Sequence, residues 1–377
     1  MVAIIIILNK SQSKEKGVEK LNAENLEIIK TYQPKVKENP ENIPFGTVFT
    51  DHMFKMEYAP VKGWHDPKIV PYQPITLDPA STIFHYGQTV FEGLKAYRTE
   101  DDRILLFRPS LNFQRLNRSS ERLSIPAIDE ELVLYYLAEL LKLEHDWVPC
   151  EQGTSLYIRP FIIATERSLS VAPSRTYTFM IILSPVGSYY PEGVHPIGIQ
   201  VEDNYTRAVR GGTGTAKTAG NYSAAYIAQE KATVHGHSQV LWLDGVEKKY
   251  IEEVGSMNVF FKISGNIVTP ALNGSILDGI TRASIIELLN SWDIPVEERQ
   301  ISMEEVYQAY ENGELEEAFG TGTAAVISPI GVMQWQHRTI EINDRQTGDL
   351  SKRLYDTLTG IQTGKNQDEF NWTLEID

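Results

Sequence analysis

The chain has 377 residues, more than one hydrophobic core usually serves, so two domains are expected. Its net charge of −15 argues against nucleic acid and anionic membrane as partners, because both attract a basic excess. The single cysteine, Cys150, excludes an intrachain disulfide and fits a cytoplasmic location. No apolar run is long enough to span a bilayer, and the short apolar start lacks the flanks of a signal peptide.

The first half of the sequence predicts an extension followed by a smaller α/β domain. Residues 1–40 are rich in Lys, Glu, Asn and Gln and suggest a loose or packed-on extension. Turn-forming residues after 184 place an inter-domain linker at 186–197, so the small domain covers 41–185. Its predicted strands begin at Phe45 and recur at 89–97, 103–107, 155–163 and 177–183, and its helices begin at Pro109 and after the capping residue Asp129.

The second half, residues 198–377, predicts a larger domain of the same mixed type. Strands are predicted at 197–201, 239–243, 258–263 and 267–269, helices at 221–235 and 279–292, and a further helix after a capping box at 302–305. A loop of small residues at 319–325 is predicted to enter a strand at 326–327. Mixed strands and helices in both halves indicate an α+β or α/β fold.

A glycine-rich stretch at 209–222 contains one lysine, Lys217, among small residues. Glycine permits positive φ and close approach of a ligand, and a poorly solvated lysine amine can attack a carbonyl group. A plain surface turn explains the stretch equally well. A sharper alternative is the phosphate-binding loop of nucleotide triphosphatases, which the spacing from Gly211 to Lys217 and Thr218 nearly matches.

Two observations weigh against the nucleotide-binding alternative, although the run at 239–244 resembles the strand and aspartate that follow such a loop. The glycine that should precede the lysine is replaced by Ala216. The residues before Gly211 are polar, whereas the motif needs a buried strand leading directly into it.

Three further stretches can contribute to a site that binds an anion and a heteroaromatic ring. Glu252 and Glu253 follow an apolar strand, and a carboxylate can keep a ring nitrogen protonated. Taken alone, each glutamate is equally well explained as a solvated turn residue. Gly279 precedes a helix whose free N–H groups can bind phosphate, and the loop at 320–325 can present backbone amides to an anion. An ordinary capped helix and a tight turn are the simpler interpretations.

In the first half, Tyr157 and Arg159 are two residues apart in a predicted strand, so their side chains lie on the same face of it. An arginine within an apolar strand needs a partner, which predicts a carboxylate or a tyrosine network beside it. Four other aromatic residues are candidates for a pocket, although each alone fits a core equally well: Phe45, Tyr86, Tyr189 and Tyr222.

Together and in this order, the motifs resemble the branched-chain amino acid aminotransferases, which are pyridoxal-phosphate enzymes of fold type IV. The resemblance extends from about Phe45 to about Pro329. It rests on FGTVFTDHM at 45–53, FEGLKA at 91–96, LFRP at 106–109, GTSLYIRP at 153–160, KTAGNY at 217–222, EVGSMN at 253–258 and GTGTA at 320–324.

The resemblance implies a two-domain fold like that of D-amino acid aminotransferase, with pyridoxal 5′-phosphate as cofactor and no metal. Lys217 would form the Schiff base, Tyr222 would bind the phenolic oxygen of the ring, and Glu253 would bind its nitrogen. The phosphate would be bound by Arg115, by Ile280 and Thr281 at the helix start, and by Thr323. The implied substrate-binding residues are Phe45, Tyr86, Tyr157, Arg159, Tyr189, Ser256, Thr323 and Ala324.

The resemblance also implies the reaction: transamination of Leu, Ile and Val with 2-oxoglutarate, by at least a homodimer. Ser256 stands where many relatives have threonine, and Ala325 and Ser328 replace a cysteine pair found in some relatives, so no thiol switch is expected. The main alternatives are a D-amino acid aminotransferase and an aminodeoxychorismate lyase, which share the fold. The segment at 153–160 favours the branched-chain interpretation.

Overall fold

A computed structural model describes residues 21–37, 44–187 and 194–376. Within them, nine strands form a first, largely antiparallel sheet in the order β1-β3-β2-β8-β7-β5-β6-β18, and β4 pairs with β7. The strands of this sheet are β1 (Glu27–Ile28), β2 (His52–Ala59), β3 (Gly63–Pro71), β4 (Thr89–Phe91), β5 (Leu94–Arg98), β6 (Ile104–Phe107), β7 (Ser155–Ala164), β8 (Tyr177–Val186) and β18 (Thr373–Ile376).

A second sheet, also of nine strands within the described part of the chain, has the order β11-β10-β9-β16-β15-β12-β13-β14, and β17 pairs with β16. In this sheet β9 runs parallel to both β10 and β16, so the sheet is mixed. Its strands are β9 (Ile197–Glu202), β10 (Gln239–Leu243), β11 (Ile251–Val254), β12 (Asn258–Ile263), β13 (Asn266–Pro270), β14 (Val296–Arg299), β15 (Leu315–Gly322), β16 (Val326–Trp335) and β17 (Arg338–Glu341).

The helices cover the sheets and bury their apolar faces. They are α1 (Thr82–Tyr86), α2 (Pro109–Arg122), α3 (Glu130–Leu143), α4 (Ala219–Ser223), α5 (Tyr226–Val234), α6 (Ile280–Ser291), α7 (Met303–Glu311) and α8 (Asp349–Gln362). Short 3-10 turns lie at Ala23–Asn25, His145–Trp147 and Asn343–Arg345. No helix among the described residues is both long enough and apolar enough to cross a membrane.

The fold is the α+β type that the sequence predicted, and local sequence signals explain its best-predicted elements. The side chain of Asp129 accepts a hydrogen bond from the N–H of Leu132 and caps α3, as expected for a residue of this type before a helix. The hydroxyl of Ser302 accepts from the N–H of Glu305 and caps α7 in the same way.

Four predicted elements differ from the structure. The strand predicted over 89–97 is two strands, β4 and β5, which pair with different parts of β7. The strand predicted from Phe45 is β2, which begins only at His52, because residues 44–47 form a turn in which Gly46 has a φ of 71°. The helix predicted over 221–235 is two helices, joined where Ala225 N–H donates to Tyr222 O, a tighter i→i+3 bond. The small residues 319–322 are strand, because they pair with both β12 and β16, and only 323–325 form the turn.

The domain boundaries proposed from sequence stay a prediction, and residues 188–193 of the proposed linker lie outside the described residues. The last strand nevertheless returns to the first sheet, where Thr373 to Ile376 pair with β6. A hydrophobic cluster also joins the halves, since Tyr97 and Phe107 of the first sheet pack with Phe260 and Phe319 of the second. The last residues of the chain, assigned to the large domain from sequence, therefore help to fix the two sheets together.

The packing of Phe54 in the core of the first sheet allows a prediction about the free energy of unfolding. Phe54 is fully buried, stacks on Tyr136 with ring centroids 5.1 Å apart and contacts Phe179 edge-on at 5.9 Å. Phe54→Ala should lower the free energy of unfolding by about 3–5 kcal/mol, through lost burial and the cavity left behind. Denaturant unfolding followed by tryptophan fluorescence measures this, and Phe54→Leu should lose clearly less. Equal losses in the two variants would contradict the cavity argument.

Candidate active site

Lys217 lies where the two halves of the chain meet. Its carbonyl accepts from the N–H of Phe91 at the end of β4 (3.0 Å), and its own N–H donates to Ser119 Oγ of α2 (2.9 Å). The next residue, Thr218, bridges to Val90 and donates its hydroxyl to Thr89 O at 2.7 Å. The backbone of the lysine loop, which belongs to the second half, is therefore held by the first.

The Lys217 side chain is surrounded by aromatic rings. Its Nζ donates to the hydroxyl of Tyr222, five residues further along the chain in α4, at 3.2 Å. The same nitrogen lies 5.2 Å from the centre of the Phe91 ring, and the Phe91 and Tyr222 rings are 5.0 Å apart. The amine is thus fixed beside a phenol and over an aromatic face, where an electrophile can approach it.

Of the two glutamates on β11, Glu253 faces the lysine side. Only 2% of Glu253 is exposed; its Oε1 accepts from Leu277 N–H at 2.7 Å and lies 3.3 Å from Arg207 Nη2. Burial raises the pKa of Glu253, and Arg207 and Lys217 oppose that shift. Successive strand residues point to opposite faces, and Glu252 accordingly bonds elsewhere, to Ser275 Oγ and to Asn273 Nδ2.

A cavity of about 150 Å³ opens between Tyr222 and Glu253. A cavity of roughly that size is enough for a benzene-sized ring. It lies against the carboxylate and the phenol already described, and it also contains Ser256, one of the residues expected from the sequence. Its wall includes Arg207, Asn221, Tyr222, Trp242, Glu253, Ser256 and Leu277.

The residues implied in phosphate binding converge at the start of α6. Arg115 Nη1 donates to Asp278 O at 2.9 Å, immediately before that helix, and Ile280, Thr281 and Thr323 line one small cavity. Gly279, the N-cap residue, has no side chain to cap the first turn, so backbone N–H groups remain available for an anion. A Cβ at Gly279 would lie only 1.9 Å from Asn258 Oδ1, so the close approach requires glycine.

Arg115 is itself half of a buried ion pair. Its Nε and Nη2 donate to the two carboxylate oxygens of Glu92 at 2.7 and 2.9 Å, and Asn112 adds a bond to the same carboxylate. Burial alone would raise the pKa of Glu92, but the Arg115 guanidinium holds it below its ordinary value. The bidentate pair fixes the guanidinium and leaves Nη1 directed toward the α6 start.

The implied substrate side chains form a second group beside Lys217. Arg159 Nη2 donates to Tyr157 Oη at 3.0 Å, which confirms the tyrosine partner expected for a strand arginine. Tyr157 meets Phe45 edge-on at 4.9 Å, and the Arg159 guanidinium lies 4.8 Å from the Phe91 ring. Phe91 therefore connects the substrate group to the lysine.

The remaining substrate-binding residues expected from the sequence make contacts other than with Lys217. Tyr86 ends α1, is partly exposed and donates its hydroxyl to Leu169 O at 2.5 Å. Ala324 lies in the turn between β15 and β16, and its carbonyl accepts from Lys95 Nζ at 2.8 Å. Tyr189 lies outside the described residues.

Sequence reasoning missed several members of the site. Phe91, Glu92 and Lys95 lie in the motif at 91–96 without a separate predicted role, and Arg207 lies in a polar stretch with no periodic signal. Their importance follows from long-range pairing, which spacing along the chain does not reveal. The one available signal was the cost of burying an arginine or glutamate, which demands a partner of opposite charge.

Residues 89–332 match the family model described as amino-transferase class IV, and the chain belongs to this family. It is 62% identical to branched-chain-amino-acid aminotransferase 2 of Bacillus subtilis over 93% of this chain and 96% of that protein. A second Bacillus subtilis protein, branched-chain-amino-acid transaminase 1, is 61% identical over 93% of this chain and 99% of its own length.

Solved structures agree on the fold. The branched-chain amino acid aminotransferase of Escherichia coli superposes with a TM-score of 0.73 at 25% identity, covering 87% of this chain and 99% of that one. The enzyme of Thermobaculum terrenum, solved in its PLP-form, gives a TM-score of 0.71 at 23% identity and covers 86% and 98%. The nucleotide-triphosphatase interpretation is wrong, and β9 indeed ends at Glu202, well before the glycine-rich loop.

Enzymes of this family use pyridoxal 5′-phosphate, and the residues present fit that cofactor. Tyr222 and the buried Glu253 line a cavity of ring size, Lys217 donates to the hydroxyl of that tyrosine, and the start of α6 offers uncapped N–H groups. Two arginine nitrogens are buried without a hydrogen-bond partner among the described residues, Nε of Arg159 and of Arg207. Unpaired buried donors are costly, and an anionic ligand would satisfy such groups.

The two glutamates of β11 make a paired prediction. Glu253→Gln should lower kcat by about 100-fold or more, because the carboxylate that stabilises a protonated ring nitrogen is lost, while the cofactor still binds. Glu252→Gln, an equal change on the other face of β11, should leave kcat within about threefold, because its contacts are structural. Steady-state kinetics with a cofactor absorbance spectrum measure both effects. A larger loss of kcat in Glu252→Gln than in Glu253→Gln would show that the role belongs to Glu252.

Proposed function

We propose that this protein transfers the amino group of branched-chain L-amino acids to 2-oxoglutarate, using pyridoxal 5′-phosphate. The proposal rests on Tyr222 and Glu253 lining one cavity while Lys217 donates to the Tyr222 hydroxyl, in a chain 62% identical to a named branched-chain aminotransferase. A D-amino acid aminotransferase or an aminodeoxychorismate lyase would share the same lysine and glutamate, so substrate tests must separate them.

When bound, pyridoxal phosphate supplies a protonated ring that accepts the electron pair released as the substrate Cα–H bond breaks. Lys217 would hold the cofactor through its aldehyde group and, when free, would serve as the base that moves a proton to or from the substrate α-carbon. Its Nζ is suited to this task because Tyr222 and Phe91 confine it to one place. Glu253 would hold the ring nitrogen protonated, and Tyr222 would donate a hydrogen bond to the phenolic oxygen.

The phosphate would be held by Arg115, by the Ile280–Thr281 start of α6 and by Thr323. Arg115 contributes a fixed charge, because Glu92 orients the guanidinium from the opposite side. The N-terminus of α6 contributes unpaired N–H groups and the positive end of the helix dipole. Phosphate binding of this kind would anchor the cofactor at a point remote from the reacting atoms.

The substrate would be held by a largely apolar pocket and by one cation, Arg159. Phe45, Tyr86, Tyr157, Tyr189, Ser256 and Ala324 shape the pocket, and Arg159 with the backbone near Thr323 and Ala324 receives the carboxylate. One methylene in such a pocket changes binding by only about 1–3 kcal/mol, so Leu, Ile and Val should all be used.

Lys217→Ala should abolish turnover and covalent attachment of the cofactor. The wild-type protein with pyridoxal phosphate should show a near-visible absorption band that shifts to shorter wavelength with L-leucine and returns with 2-oxoglutarate. In the variant, borohydride reduction followed by mass spectrometry should detect no attached cofactor, because no amine remains to bind the aldehyde.

Lys262→Ala is the matched control, because Lys262 pairs with Glu316 on β15 and should not affect cofactor attachment. A wild-type band that answers D-leucine and not L-leucine would reject the substrate proposal while keeping the cofactor. Normal turnover of Lys217→Ala would reject the catalytic assignment itself.

We further propose a homodimer and a cytoplasmic location. The dimer is supported by exposed apolar side chains beside the substrate group: Phe84 on α1, and Leu169 and Val171, whose loop is tied to Tyr86. Exposed apolar clusters of this kind are typical of interfaces between subunits. The location rests on the single cysteine and the acidic composition.

Val171→Asp should shift the protein toward monomer in analytical ultracentrifugation, because an unpaired charge would be buried at the interface. Val246→Asp changes an equally exposed valine on the β10–β11 loop and should leave the dimer intact. If the wild-type protein sediments as a monomer, the proposed dimer is wrong. If Val171→Asp still sediments as a dimer, the interface does not include Val171.

A further inference from the structure

Lys95 is a lysine to which the proposed function assigns no role, although it lies among the site residues. It is on β5 of the first sheet and pairs in register with Tyr157 of β7, so the two side chains share one face of the sheet. Its ammonium crosses to the second sheet and donates to the carbonyl of Ala324 at 2.8 Å. Lys95 therefore links the substrate face of one sheet to the turn at 323–325 of the other.

This turn needs support from its surroundings. It ends at Val326, whose φ of 62° lies in the left-handed region that a β-branched residue rarely adopts. From within, Thr321 Oγ1 donates to Val326 O at 2.9 Å, and Ile327 N–H donates to Ala325 O at 2.8 Å. The Lys95 bond reaches the turn from the opposite sheet, at the carbonyl of the residue implied in carboxylate binding.

The surroundings of Lys95 also favour an anion. It lines a cavity of about 20 Å³ together with Thr281 and Thr323, two of the groups proposed to bind phosphate. Burial lowers the pKa of Lys95 to about 8. A cation that has lost part of its hydration gains more from a nearby anion than a solvated one does.

We propose that Lys95 is a positioning residue that holds the 323–325 turn, through the Ala324 carbonyl, in the conformation that binds the substrate carboxylate. Its charge adds to the attraction for that carboxylate. The inference rests on the proposed function, which assigns the carboxylate to this turn and to Arg159. It adds a residue of the opposite sheet, so that carboxylate binding depends on how the two sheets are held together.

The test measures binding of a carboxylate without turnover. The probe is 4-methylpentanoate, which is leucine without its amine, and its uncharged control is 4-methylpentanamide. Both are titrated calorimetrically into the protein loaded with pyridoxal phosphate. Lys95→Met should weaken acid binding about tenfold and leave amide binding within about twofold, because only the charged group uses the turn. The KM for L-leucine should rise in parallel, while kcat changes less than about threefold.

Two variants serve as controls. Lys95→Arg retains a charged donor of similar reach and should recover most of the acid affinity. Lys248→Met removes another half-buried lysine that donates to a backbone carbonyl, that of Tyr205, and whose pKa is also lowered by burial. It should bind acid and amide like the wild-type protein.

Two results would overturn the inference: unchanged acid affinity in Lys95→Met, or equal losses for acid and amide, which a merely structural role would cause. If Lys95→Met does not fold, Lys95→Gln takes its place. If Lys95→Gln prefers the acid over the amide as strongly as the wild-type protein does, the inference is also overturned. Failure of the proposed function is recognised separately, because the wild-type protein would then show no change of its cofactor band with L-leucine.

Discussion

The site depends on the backbone pairing between β4 and the lysine loop. Phe91 N–H donates to Lys217 O, and Thr218 donates to Thr89 O, so a strand end of the first sheet fixes the loop of the second half. Phe91 then supplies the ring over which both Lys217 and Arg159 lie. One short segment therefore sets the distance between the amine and the cation beside the substrate group. A loop held only by its own domain would leave that distance free to vary.

The electrostatics of the site differ from those of the whole chain. The protein carries a net charge of −15, yet Arg115, Arg159, Arg207, Lys95 and Lys217 converge on one region. Two of these cations are balanced by buried glutamates, Arg115 by Glu92 and Arg207 by Glu253. The balance keeps the cost of burying the arginines low. The Nε atoms of Arg159 and Arg207, which lack a partner among the described residues, and the N–H groups at the start of α6 remain for ligands. The anionic exterior does not conflict with an anionic cofactor, because local cations and helix ends dominate at short range.

Much of the fold was predictable because its signals are local. Asp129 and Ser302 mark helix starts through capping bonds within a few residues, and the strand at Gln239–Leu243 is a bounded apolar run. The errors fall where distant contacts decide. Residues 319–322 are small and resemble a loop, but strands on both sides pair with them. No local signal joins the last strand to β6, because the hydrogen bonds connect residues far apart in sequence.

The candidate site shows the same division. Its lysine, tyrosine and glutamate were found because they stand in short motifs, and Glu253 was preferred to Glu252 from its neighbours in sequence. The structure adds the physical reason, since the two carboxylates point to opposite faces of β11. Phe91, Arg207 and Lys95 escaped prediction because their roles arise only when the two halves meet.

The burial of Glu253 explains how a costly group can serve the reaction. Removal from water raises the pKa of its carboxyl group, and Arg207 offsets only part of that shift. A protonated ring nitrogen placed beside the carboxylate would reverse the balance, because opposite charges attract more strongly where water is scarce. By linkage, the ring nitrogen gains basicity from the carboxylate to the same extent that the carboxylate gains acidity from the ring. The burial that disfavours the lone carboxylate is therefore the condition under which it can hold a proton on the ring.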